Sequence, residues 1–76
     1  MTLADRLNII IHEQGLSKLE FANRVGISEN YIYLLTGNST KRPETISASL
    51  AMLIALEFGY EAEWIMHGDK NDTEDK

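Results

Sequence analysis

Ser28, Glu29, Asn30 and Tyr33 stand close together, and their side chains carry the hydrogen-bonding groups of recognition rather than of catalysis. An ionised Glu29 only accepts, while Asn30 both donates and accepts through one planar amide. Ser28 and Tyr33 do both through a hydroxyl. Asn30 and Tyr33 are three apart, so on a helix they share a face. An amide in such a place pairs bidentately with adenine, and a carboxylate accepts from the amino group of cytosine. A phenol bonds a phosphate or packs on a thymine methyl. Lys18 precedes this set, and Asn38, Lys41 and Arg42 follow it with groups suited to phosphate oxygens.

The residues of bond-making chemistry are not arranged for it. The chain has no cysteine, no glycine-rich phosphate loop and no acid pair spaced for work with a histidine. We therefore expect no enzymatic activity and no cofactor. His12 and His67 stand alone, without ligand-spaced partners, so no metal site is expected.

Positioning the Ser28–Tyr33 set requires a helix that begins at Ser28. The pattern supplies one, running to Thr36 and stopped by Gly37, with Ile32 and Leu35 as its inner face. Ahead of it, Ser17 with Glu20 forms a Ser-x-x-Glu capping box for a helix closed by Gly26, with Phe21, Ala22 and Val25 inward. Gly26 and Ile27 make the turn between the two helices. Ala22 is small enough for the two backbones to approach, and a bulkier residue there overpacks by roughly 1–3 kcal/mol.

The remaining elements are also helical. Thr2 caps a first helix with Asp5 in the reciprocal position, and Leu3, Leu7, Ile10 and Ile11 share a face before Gly15. A polar loop, Asn38 to Pro43, leads to a fourth helix capped by Thr45 or Glu44 and running through Ile46, Leu50, Leu53 and Ile54 to about Glu57. A short fifth helix spans Ala62 to His67, closed by Gly68. The expected fold is all-α, a single five-helix domain over residues 1–68, with an acidic, disordered tail over 69–76.

This chain resembles the lambda-type helix-turn-helix family of phage Cro proteins and repressors. Ala22, Gly26, Ile27, Ile32 and Leu35 carry the likeness, with Arg6-Leu7 near the start and Trp64-Ile65-Met66-His67-Gly68 near the end. The resemblance implies a lambda-repressor-like DNA-binding domain whose second and third helices form the helix-turn-helix. Carried over by position, it implies DNA contacts by Lys18, Ser28, Glu29, Asn30 and Tyr33, with Lys41 and Arg42 on the backbone. Three positions depart from the family pattern, among them Glu29 at the head of the third helix, which phosphate repels unless it reads a base. Lys18 stands where glutamine is commonest, and Thr36 stands where many members have a glutamate paired to the first helix.

Net charge is −5, against the usual basic balance of DNA-binding domains. The excess acid lies in the C-terminal part, where Glu57, Glu61, Glu63, Asp69, Asp72, Glu74 and Asp75 face only Lys70 and Lys76. Between Ser17 and Pro43, by contrast, Lys18, Arg24, Lys41 and Arg42 outnumber Glu20 and Glu29. Leu50 to Leu56 is apolar on all sides, more than one core face needs. Part of that surface, with Phe58, Tyr60, Trp64 and Ile65, is expected to form a homodimer contact.

The reading is then a sequence-specific double-stranded DNA-binding regulator, a phage- or prophage-type repressor dimer in the cytoplasm, with no membrane partner. The alternative is a protein-interaction module of the same fold, an antitoxin or antirepressor, favoured by the acidic tail and Glu29.

Overall fold

The computed structural model describes residues 1–37 and 45–68, and these form five α-helices and no strand. They are α1 (Leu3–Glu13), α2 (Lys18–Val25), α3 (Glu29–Thr36), α4 (Ala48–Phe58) and α5 (Ala62–His67). The all-helical class and the order of elements agree with the sequence. Asn38, Lys41, Arg42 and the segment 69–76 lie outside the described residues.

Local chemistry sets the helix starts. The Thr2 hydroxyl accepts from the Asp5 N–H at 3.1 Å, and the Asp5 carboxylate accepts from the Thr2 N–H at 3.0 Å. Ser17 and Glu20 repeat this reciprocal pair at 3.0 and 2.9 Å. Each pair satisfies two amides that the helix itself leaves without partners. At α3 the Ser28 hydroxyl accepts from the Tyr31 N–H at 3.0 Å. The residues flanking these caps are apolar: Leu16 before Ser17 with Phe21 after it, and Ile27 before Ser28 with Ile32 after it. All four belong to the core or pack against it. That spacing is a hydrophobic staple, which fixes the angle at which the chain enters each helix.

The start of α4 differs from the sequence expectation. Glu44 lies outside the described residues, and Thr45 does not cap the helix. Ser47 does, its hydroxyl accepting from the Leu50 N–H at 3.1 Å. Ile46 is consequently not part of the helix. It is buried in the residue before the cap, where it staples toward Ala51 in the same cluster.

The core gathers Leu3, Leu7, Ile10 and Ile11 of α1 with Phe21, Ala22 and Val25 of α2. Ile32 and Leu35 of α3, Ile46 before α4, Leu50, Ala51 and Ile54 of α4, and Ile65 of α5 complete it. Fully burying one such large aliphatic or aromatic side chain contributes about 1.5–3 kcal/mol. Helix α1 packs on α3 and α5, α2 packs on α3 and α4, and α4 packs on α5.

Arg6 is buried on the inner face of α1. Its guanidinium donates from Nε to the Ile65 carbonyl at 3.0 Å and from the terminal nitrogens to the Met1 and Met66 carbonyls at 3.2 and 3.3 Å. Two of these acceptors lie in the last turn of α5, where carbonyls lack intrahelical partners and a cation is favoured. Arg6 thereby fastens the fifth helix to the first. Among the described residues, no helix is long and apolar enough to cross a membrane.

Candidate nucleic-acid interface

The geometry of α2 and α3 rests on their junction. Gly26 has φ 79°, a left-handed conformation that glycine adopts without the clash a Cβ brings. The N–H groups of Gly26 and Ile27 both donate to the Ala22 carbonyl, at 2.9 and 3.0 Å, so the chain leaves α2 with its last carbonyls engaged. Ala22 is fully buried, and α2 packs directly on α3. The third helix also holds to the first. Asn8 Nδ2 donates to the Thr36 carbonyl at 3.3 Å, and the buried Thr36 hydroxyl donates to the Ile32 carbonyl at 2.7 Å. Asn8 thus makes a direct α1–α3 link where the resemblance leads one to miss an ion pair.

With Ile32 and Leu35 inward, α3 presents Ser28, Glu29, Asn30, Tyr33 and Leu34 to solvent. Tyr33 is 47% exposed, and its hydroxyl donates to Glu29 Oε2 at 2.8 Å across one helical turn. From the start of α2, Lys18 brings its Nζ to 5.7 Å from the centroid of the Tyr33 ring. This is within the range where an ammonium is drawn to the negative face of an aromatic ring. Lys18, Glu29 and Tyr33 therefore converge from two helices into one cluster. The accepted hydrogen bond and the charge of Glu29 raise the Tyr33 hydroxyl above its ordinary pKa of 10.0, with a further small contribution from desolvation. The Asn30 amide makes no hydrogen bond among the described residues and stands beside this cluster.

Chemically, the face combines an acceptor-only carboxylate, an uncommitted amide, an aromatic hydroxyl and an ammonium. Such a set suits an edge bearing both donors and acceptors, flanked by anionic oxygens. The i, i+4 spacing of Glu29 and Tyr33 was available in the sequence as a sign of their pairing. The approach of Lys18 was not, because it depends on how two helices cross.

The expected self-contact residues sit differently. Ile65 is 0% exposed and donates its surface entirely to the core, so it offers nothing to a second copy of the folded chain. Phe58 is half-buried and stacks on Phe21, with ring centroids 5.3 Å apart and planes 11° from parallel. Tyr60 stacks on Trp64 at 6.1 Å, donates its hydroxyl to Glu13 Oε1 at 2.6 Å and accepts from Gln14 Nε2 at 3.3 Å. Burial is the main reason that the Tyr60 hydroxyl is raised above 10.0. The bond to Glu13 adds to it, and the bond from Gln14 partly offsets it. Phe58, Tyr60 and Trp64 are thus all engaged within the chain. The large apolar side chains that face solvent are instead Met52, Leu53 and Leu56 of α4. The all-round apolarity of that run was the signal in the sequence. Which side of it faced the core was not.

Among the described residues, no cluster of histidine and carboxylate side chains is placed to hold a metal ion. No family model matches the chain, and neither a curated protein nor a solved structure matches it.

Proposed function

We propose that this chain is a sequence-specific double-stranded DNA-binding transcriptional regulator, with α2 and α3 as its helix-turn-helix. The observation that carries the reading is the outward face of α3, where Glu29, Asn30 and Tyr33 stand exposed over an apolar inner face and Lys18 joins them from α2. Helix α3, like any α-helix about 10–12 Å across with its side chains, fits the width of a major groove, about 12 Å. Asn30 would read adenine, Glu29 a cytosine amino group and Tyr33 a thymine methyl or a phosphate, with Lys18 on the backbone. Ser28, whose hydroxyl can still donate while it caps the helix, would meet the first phosphate. Asn38, Lys41 and Arg42 follow α3 in the sequence and complete the proposed backbone contacts.

One module of this size makes few contacts. Specific binding therefore calls for a homodimer on a pseudo-palindromic operator, with half-sites roughly 34 Å apart. The simplest action of such a dimer is repression by occupancy, as in phage or prophage switches, and such a regulator works in the cytoplasm.

The test is a salt titration of the full chain on random-sequence duplex. Affinity should fall with salt on a log–log slope near −0.9 for each phosphate contacted. Replacing Lys18, or Lys41 with Arg42, should flatten that slope by about one contact per cation without changing sequence preference. No binding at low salt would sink the reading. It would favour the alternative of a protein-interaction module, an antitoxin or antirepressor. The chain's net charge of −5 is the observation that favours that alternative.

A further inference from the structure

Helix α4 carries two apolar stripes back to back. Successive residues turn by about 100°, which puts Leu50, Ala51 and Ile54 on the core side. Met52, Leu53 and Leu56 fall in the opposite arc together with Ser49, and their exposures are 55, 52 and 81%. A surface helix needs only one such stripe, and a contiguous outward one marks a contact.

We infer that this outer stripe of α4 is the surface through which a second copy of the chain binds, about a two-fold axis, in place of the Phe58–Trp64 aromatics. Three observations select that occupant. First, the segments 38–44 and 69–76 contain no apolar side chain except Pro43, so neither matches the stripe in chemistry. Second, two copies of a chain with net charge −5 repel over most of their surface, and this stripe is uncharged. The nearest charge along the helix, Glu57, is engaged with Arg24 of its own chain at 3.4 Å. An isologous contact brings each residue near its own kind, so it requires such a charge-free face. Third, α4 packs chiefly on α2 and α5, whereas α3 packs on α1 and α2, so a copy seated on α4 leaves the outer face of α3 open.

The area sets the strength. Two such stripes bury on the order of 1,000 Å² once their rims are counted, below the roughly 1,600 Å² of a standard interface. The dimer is therefore weak and concentration-dependent in solution, and two adjacent half-sites on one duplex would favour it. The inference serves the DNA-binding reading but rests on the stripe itself, so the two fail separately.

Sedimentation equilibrium of the full chain from micromolar to near-millimolar concentration tests it, with Leu56→Glu and Met52→Glu as variants. Both positions face solvent, so helicity and thermal stability measured at low concentration should match the wild type. The wild type should pass from monomer to dimer. Each glutamate, meeting its own copy across the axis, should weaken that dimer at least about a hundredfold. Mixing Leu56→Glu with Leu56→Lys should restore a mixed dimer. A wild type that stays monomeric throughout overturns the inference, as do glutamate variants that dimerise like the wild type. Binding of the Leu56→Glu monomer to random duplex at low salt is read in parallel. Its loss in variant and wild type alike would count against the DNA reading and leave the dimer result standing.

Discussion

At Tyr33 one side chain serves two neighbours, its hydroxyl bonding Glu29 and its ring facing Lys18. Because the carboxylate of Glu29 is the main cause of the raised hydroxyl pKa, Glu29→Gln should bring Tyr33 down toward the ordinary 10.0, as read by tyrosinate absorbance against pH. The same variant removes a negative charge from a face proposed to meet phosphate. It should bind random duplex more tightly than the wild type while its discrimination at one C·G pair weakens by roughly 1–3 kcal/mol. Asn30→Ala should cost a similar amount on the preferred site and relax preference at a single A·T position, measured by selection from a randomised duplex pool. The outward direction of these residues was legible from the sequence, since Ile32 and Leu35 fix which side of the helix is inward. Their mutual engagement was only half legible. Glu29 and Tyr33 share one helix, but Lys18 arrives from another.

Among the elements, α3 is held at both ends by different physical means. At its start, Ser28→Ala removes the acceptor for the Tyr31 N–H and should lower stability by about 1 kcal/mol. In a domain of this size that is a fall in Tm of roughly 4–8 °C. Before it, Gly26→Ala should cost about 1–2 kcal/mol through the left-handed φ of 79° alone, because an added Cβ there meets open space. After it, Gly37 has extended backbone, and the limit is room: a Cβ would come within 2.7 Å of the Tyr33 carbonyl oxygen. Gly37→Ala should therefore displace the last turn of α3 and weaken specific DNA binding more than random binding. A comparison of the two affinities at one salt concentration checks this. Capping chemistry is local, so Thr2, Ser17 and Ser28 were readable from residues three apart. The start of α4 was misread because Glu44, Thr45 and Ser47 all offer cap oxygens. The burial of Ile46 decides among them, and burial is set by the other helices.

For the whole molecule, Arg6 is the clearest case of a role that no local pattern carries. Its spacing placed it on α1, but its acceptors in α5 lie about sixty residues away. Arg6→Met leaves buried carbonyls without donors and should destabilise the fold by about 3 kcal/mol or more in urea unfolding. Arg6→Lys should rescue little, because a single ammonium cannot reproduce the fork of the guanidinium. Tyr60 adds a pH term. Its raised pKa means that the folded chain keeps the proton at pH values where the unfolded chain has lost it. This contribution is full below pH 10 and is lost as pH rises through the raised value. Tyr60→Phe should be less stable than the wild type at neutral pH and show a shallower alkaline decline in its urea midpoint.

The Arg6 clamp also bears on how the protein comes into being. Synthesis from the N-terminus makes the guanidinium about sixty residues before the Ile65 and Met66 carbonyls it needs. Until then α1, α2 and α3 lack the element that closes one side of their core and gives carbonyl acceptors to a cation destined for burial. A nascent chain still held short of Ile65 should consequently be sensitive to protease. Protection should appear as a single late event once α5 is free of the ribosome.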